Sequence, residues 1–204
     1  MRISYAIPVC TEHVELKELL TFLTLHIEEE DEIVVQCDQG NTTHEVHRVL
    51  GDFPTVKIIE FPLKGNFASF KNNLKEHCTK EWIFQIDADE LPHESLITNL
   101  KSLLKLNPTT ELFLVPRINT VKGLTQEHIN KWRWNVNEKG WVNWPDYQTR
   151  IIQNSPNISW ASKVHEVITG FSTKGLLPME EEWGLYHHKH INKQEHQNKF
   201  YDTL

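Results

Sequence analysis

Cysteine is scarce in this chain. Cys10, Cys37 and Cys78 are the whole supply in 204 residues, odd in number and far apart. That spacing offers neither a disulfide framework nor a zinc site, and it fits a reducing compartment. No apolar run approaches the roughly 18 residues that cross a bilayer. The start, MRISYAIPVC, lacks the apolar centre and small-residue cleavage site of a secretory leader. The expectation is a cytoplasmic protein with no transmembrane segment, contact with a membrane surface being left open. Basic charge is short as well: 21 Lys and Arg stand against 28 Asp and Glu, a net −7. This balance excludes non-specific binding to nucleic acid or anionic lipid, while leaving room for a local anion site. Repeats and low-complexity linkers are missing too.

What is present is ordinary in bulk, 39% hydrophobic and 24% charged, apart from 12 histidines and 7 tryptophans. The length suits one domain. Residues 3–9 read as a buried strand, and Leu16, Leu19, Leu20, Leu23 and Ile27 follow as a helical stripe. The β-branched run 33–35 is a second strand, and residues 42–50 a second helix. Residues 56–61 form a third strand. Asn66 then caps a helix striped by Phe67, Phe70, Leu74 and Cys78. Residues 82–86 are a fourth strand, Leu96 to Leu104 a fourth helix, and residues 112–115 a further strand. Such alternation predicts an α/β fold: a Rossmann-like, mostly parallel central sheet with helices on both faces. Ligands of such sheets bind beyond the carboxyl ends of the strands. After residue 117 the texture changes. Trp132, Trp134, Trp141 and Trp144 crowd a loop-like stretch, short strands are expected at 149–153 and 159–168, and the polar end from residue 192 reads as a helix. Residues 194–204 are expected to pack on the domain or to dock to a partner or membrane.

Four strand ends carry the chemistry. Asp87 and Asp89 follow the apolar run 82–86, where a rigid strand would mount them. Their hard oxygens suit Mg²⁺ or Mn²⁺ shared with a phosphate. Glu90 is read apart from them, as a residue serving the next helix start. Gly65 ahead of the third helix would leave backbone N–H groups facing an anion, with Lys71 in reach of a diphosphate. Asp38 at a strand end can accept from a base or a ribose hydroxyl. Period-two spacing would put His188 and His190 on one face, able to touch a metal or the diphosphate. Trp141 and Trp144 suit the apolar face of a sugar acceptor. Pro8-Val9-Cys10-Thr11-Glu12 holds no glycine and no basic residue. That argues against a nucleotidyltransferase, which needs such a loop for a triphosphate.

Taken together, IPVCTE (7–12), EIVVQCDQGNT (32–42), GNFASFKNNL (65–74) and WIFQIDADELP (82–92) resemble the nucleotide-binding half of family 2 glycosyltransferases. YQTRII (147–152), WASKVHEVI (160–168) and YHHKH (186–190) are similar to the lipopolysaccharide-core branch of that family. The resemblance implies a GT-A fold. Residues 1–117 would form the nucleotide-sugar-binding half, and 118–204 a smaller, mixed acceptor-binding and catalytic part of the same domain. It implies that Asp87-Ala88-Asp89 is the DXD motif on a metal and a nucleotide diphosphate. Pro8, Val9 and Glu12 would surround the base, Asp38 would contact base or ribose, and Lys71-Asn72 would stand beside the nucleotide. His165 and His188 would complete the metal shell. Glu166, with Asp146 as the other candidate, would be the base. The reaction implied is metal-dependent and inverting. It would move one sugar from a nucleotide-diphosphate sugar, UDP-sugar favoured, to a saccharide or glycolipid hydroxyl. Gln-x-x-Arg-Trp, a mark of processive synthases, is absent. Lys71 stands where the family has Arg, and Asp38-Gln39-Gly40-Asn41 lacks one acid of the usual pattern. A degenerate sugar- or nucleotide-binding module is the other reading. Oligomeric state is left open.

Overall fold

In the computed structural model, residues 1–195 are described. One large sheet organises them. Its left half is built by the expected alternation: β1 (Ile3–Val9), α1 (His13–His26), β2 (Glu32–Asp38), α2 (His44–Gly51), β3 (Lys57–Phe61), α3 (Phe67–Glu76) and β4 (Trp82–Gln85). Strands lie in the order β3-β2-β1-β4, all parallel. The chain therefore steps outward from β1 and then returns to β1's other side. That reversal between β1 and β4 is the topological switch point, where a crevice opens at the carboxyl ends.

The second half turns antiparallel. After β5 (Glu90–Pro92) and α4 (Glu94–Leu106) come β6 (Leu112–Lys122), α5 (Gln126–Trp132) and β7 (Val142–Gln153). β7 inserts between β4 and β6 and runs against both. β6 was expected to stop at residue 115. It continues to Lys122 because β11 (Leu185–His190) pairs along its far part. Residues 126–132, for which the sequence suggested no element and whose last residue opens the stretch expected as loop, are a helix with a capping box at Thr125 and His128. β8 (Ser159–Ala161) and β9 (Val167–Thr169) form a separate hairpin, and β10 (Lys174–Leu176) joins the edge of β6. The single strand expected over 159–168 is thus two strands around a turn. Ser162 and His165 in that turn take left-handed φ values of 72° and 54°. At the hairpin's end a Cβ on Gly170 would lie 1.8 Å from the Asn157 carbonyl oxygen, so only glycine fits. Residues 191–195 are helical. The remainder of the expected C-terminal helix and docking segment lies outside the described residues.

Two layers of core explain the arrangement. Leu16, Leu19, Leu20 and Leu23 of α1 and Leu96, Leu100 and Leu104 of α4 cover one face of the sheet, with Tyr5 and Phe84 beneath them. Leu74 and Cys78, with Ala6, Ile83 and Ile152, make the core under α3 on the other face. The stripes read from the sequence are these faces. Asn66 caps α3 as expected, accepting from Ser69 N at 3.0 Å.

Asn72 departs from expectation. Its Nδ2 donates to Trp160 O at 2.9 Å, and its Oδ1 accepts from Trp160 N at 2.8 Å. Both ends of the amide are used to clamp the β8–β9 hairpin to α3, so the side chain is not turned to a nucleotide. Asn72→Ala would leave two backbone groups of Trp160 without partners. The expected loss is about 1–3 kcal/mol of stability, read by denaturant unfolding.

Candidate functional site

The carboxyl ends of β1, β2 and β4 and the turn 162–166 enclose a cleft of about 330 Å³. Pro8, Val9, Glu12, Asp38, Lys71, Asp87, Ala88, Asp89, His165 and Glu166 all line it. Of the strand ends expected to converge, Glu12, Asp38 and the acid turn 87–89 meet here, whereas residues 64–66 do not line the cleft. A larger groove of about 730 Å³ lies along α1 and α2, beside Val14, Phe22 and Leu25, and it holds none of the strand-end acids.

Each residue is set by its element. Glu12 bends back over the loop after β1, its Oε2 accepting from Cys10 N at 3.0 Å and Thr11 N at 2.9 Å. Asp38 is buried. Its Oδ1 accepts from Leu63 N at 2.9 Å, and its Oδ2 from the Asn41 amide at 3.0 Å. The start of α3 is not left open to an anion, because Phe67 N donates to Lys163 O at 2.9 Å. Lys71 Nζ lies 2.5 Å from Glu166 Oε1 and 4.4 Å from the centre of the Trp160 ring.

The acid turn is fastened from below. Glu90 N donates to Asp87 O at 2.9 Å, and Asp87 N donates to Glu90 Oε2 at 3.2 Å. Glu90 was expected to serve a helix start. It is instead buried within β5, and His93 caps α4. Its Oε1 lies 2.6 Å from Arg150 Nη2 and 3.2 Å from Arg117 Nη1. The same Arg150 nitrogen is 2.6 Å from Asp87 Oδ2. Burial by itself would raise the Asp87 carboxyl, but Arg150, helped by Lys71, overcomes it and holds the pKa down to about 2.

Asp89 has other partners. Its Oδ2 is 3.4 Å from His187 Nε2 and 3.1 Å from Lys193 Nζ. Burial opposes ionisation here too, yet His187 and Lys193 hold the carboxyl well below the usual range. On β11 it is His187 that faces the acids. His188 is exposed, with Nδ1 against Thr120 Oγ1, so the strand's parity is the reverse of the one that would aim His188 at the metal. The ring of His187 is oriented by Asn119. Asp146 only accepts, so the Asn119 amide nitrogen faces it at 2.8 Å. Asn119 Oδ1 then accepts from His187 Nδ1–H at 2.8 Å. With Nδ1 engaged by Asn119, Nε2 is the ring nitrogen that faces Asp89.

Two other expectations change. Asp146, a candidate base, is engaged by Arg117 Nη2 at 2.6 Å, by Asn119 and by Gln148, and it does not line the cleft. Burial would raise its carboxyl, and Arg117 outweighs that to lower it. Glu166 keeps the position in the cleft. Trp141, expected at an acceptor, is 9% exposed, packed edge-on against Trp144 at 4.8 Å with Lys139 over its ring. This pair forms a small core outside the cleft. Sequence reasoning missed Arg117, Arg150, His187 and Lys193. An arginine next to Ile151 and Ile152 in a strand was a readable sign of a buried acid partner.

A parallel half with an acid pair at its switch point, closed by an antiparallel half, defines a GT-A α/β fold. Residues 4–169 match the family model described as glycosyl transferase family 2, and the chain belongs to that family. It is 39% identical over 61 residues to the SPbeta prophage-derived glycosyltransferase SunS of Bacillus subtilis (strain 168). That stretch is 30% of this chain and 14% of SunS. Its fold is similar to S. aureus TarS 1-349, with TM-score 0.62 and 13% identity over 92% of this chain and 60% of that one. TarS 1-349 in complex with UDP gives TM-score 0.60 over the same shares. The chain thus spans less than two thirds of these relatives, 14% of SunS and 60% of TarS 1-349. No helix among the described residues is long and apolar enough to cross a membrane.

Removing the charge that fastens the acid turn has a predictable cost. Arg150→Met would strand Asp87, leave Glu90 with Arg117 alone, and lower stability by about 3–5 kcal/mol in urea unfolding at pH 7. Asp87's contribution is present above its unfolded pKa and is lost as pH falls through about 2. The stability of Arg150→Met should therefore decline less than wild type's between pH 4 and pH 2.

Proposed function

We propose that the chain moves a single sugar from a nucleotide-diphosphate sugar to a hydroxyl of a saccharide or glycolipid, with inversion. The observation that carries this reading is the meeting of Asp38, Asp87, Asp89 and Glu166 in one cleft at the switch point. UDP is the favoured nucleotide, supported by the UDP complex of the similarly folded TarS. In this reading residues 1–117 supply the donor side and 118–204 the acceptor side.

The cleft's charge supports a divalent ion, Mn²⁺ or Mg²⁺. Its lining holds five carboxylates, Glu12, Asp38, Asp87, Asp89 and Glu166, against one lysine. Arg150 and Lys193 beside Asp87 and Asp89 offset part of this charge, and a divalent ion would complete the site for a diphosphate. Asp87 and Asp89 offer hard oxygens, and His187 replaces His188 as the nitrogen donor, its orientation set by Asn119. His165 remains at the cleft wall as a further donor. Among the described residues no three ligand-type side chains cluster at metal spacing. Phosphate oxygens and water would fill the remaining positions, as is usual for Mg²⁺. Such an ion, when bound, supplies Lewis-acid neutralisation of the leaving diphosphate.

The chain's own residues do the rest. Pro8 and Val9 give the base an apolar wall, and Asp38 stands at the ribose end. Arg150 keeps Asp87 ionised and fixed. Glu166 takes the proton of the acceptor hydroxyl as that oxygen attacks the anomeric carbon from the side opposite the diphosphate.

Calorimetry with UDP, GDP and CDP should show binding that depends on Mn²⁺ or Mg²⁺. Asp89→Ala should remove that metal dependence. No metal-dependent binding of any of the three would refute the reading. Glu166→Gln should lower transfer or slow donor hydrolysis by about 10²–10⁴-fold while nucleotide binding persists. Asn119→Ala, which frees the His187 ring, should weaken metal affinity by about 10–100-fold.

A further inference from the structure

Lys71 faces two ways. Its ammonium is 2.5 Å from Glu166, and the two side chains are only 11% and 17% exposed. Its charge also acts on Asp87. Among the described residues it is the one Lys or Arg of the cleft's lining. A diphosphate arriving there is drawn to the very ammonium that Glu166 holds. Beyond the pair lies a second pocket of about 260 Å³, which shares Lys71 and Glu166 with the cleft and is walled by Thr149, Trp160 and Phe171. The ion pair is therefore a partition between two cavities.

We propose that the Lys71–Glu166 pair is a gate between the donor cleft and an acceptor pocket, and that the donor's diphosphate opens it by drawing Lys71 away. The proposal rests on the donor reading above. Taking Lys71 off Glu166 with nothing in exchange would leave a largely buried charge unpaired, which is costly. A phosphate oxygen gives Lys71 another charge-assisted contact, a hydroxyl from the second pocket takes the ammonium's place at Glu166, and the ligand's charge decides the exchange. Lys71 also leaves the face of Trp160, whose ring then stands open to the apolar side of a sugar in the second pocket. Departure of Lys71 thus couples the second pocket to an occupied donor cleft. The acceptor is thus a hydroxyl compound that stacks on Trp160.

The test is a double-mutant cycle read by calorimetry with UDP and Mg²⁺, or with whichever diphosphate the panel selects. Glu166→Gln removes the competitor for Lys71 and should tighten UDP binding about threefold or more. In a Lys71→Met background, or Lys71→Gln should that fold poorly, the same substitution should change affinity by less than about twofold. Lys71→Arg should keep the tightening. Equal tightening with and without Lys71 would mean general relief of repulsion and would overturn the gate. So would no tightening at all, or an equal effect on uridine, which lacks phosphate. A second readout is the fluorine NMR signal of fluorotryptophan at Trp160, assigned with Trp160→Phe. UDP with Mg²⁺ should shift it in wild type and not in Lys71→Met. A Trp160 signal unmoved at saturating UDP would also overturn the proposal. No diphosphate binding in any variant would fall on the donor reading itself and take the gate with it.

Discussion

Arg150 enters the interior from β7 with a side chain 4% exposed, and one of its nitrogens touches both Asp87 and Glu90 at 2.6 Å. A buried pair of this kind gives little net stability, since desolvation of the charges consumes most of the attraction. What it gives is position. Register pairs Phe84 with Ile151, so Arg150 arrives at the end of β4, where the apolar strand gives way to acids. Glu90 completes the mount by accepting from Asp87 N while it holds both arginines. The run FQIDADELP places its acids by burying one of them.

From there a polar chain continues through the molecule. Glu90 meets Arg117, Arg117 meets Asp146, Asp146 meets Asn119, Asn119 meets His187, and His187 meets Asp89. Asp87 and Asp89 are thus joined a second time, behind the cleft, through strands β5, β6, β7 and β11. The antiparallel half of the sheet does more than close the fold. It fixes the geometry of the acid pair from the rear and selects the tautomer of the histidine beside it. Asp146 is better understood as a member of this chain than as a base, because three donors already occupy its two oxygens.

The sequence carried the parallel half plainly. Alternation of apolar stripes located α1, α3 and α4 and the strands between them, and strand ends pointed to the cleft. Parity was harder. Choosing between His187 and His188 depends on how β11 pairs with β6, a contact of some 70 residues' separation that no local pattern encodes. Glu90 was misread for a similar reason. Ahead of a helix, an acid looks like a dipole partner, and only the distant arginines show that it is buried. Trp141 and Trp144 looked like a sugar platform because aromatic residues in a polar stretch can serve either use. Their mutual packing is settled by the fold of 133–145, which has little periodicity to read.

Lys71 and Asn72 show how one helix separates two duties. Neighbours on a helix point about 100° apart. Asn72 therefore faces the hairpin and grips both backbone groups of Trp160, while Lys71 faces the cleft. The grip matters to the cleft because the hairpin's turn carries Glu166, five to seven residues from the clamped strand. Phe67 N on Lys163 O adds a second fastening at the start of the same helix. Glu166 is consequently held against α3 by backbone contacts that do not involve its own carboxylate. Its ion pair with Lys71 can then break without moving the turn, so the exchange proposed at that point would leave the carboxylate in place.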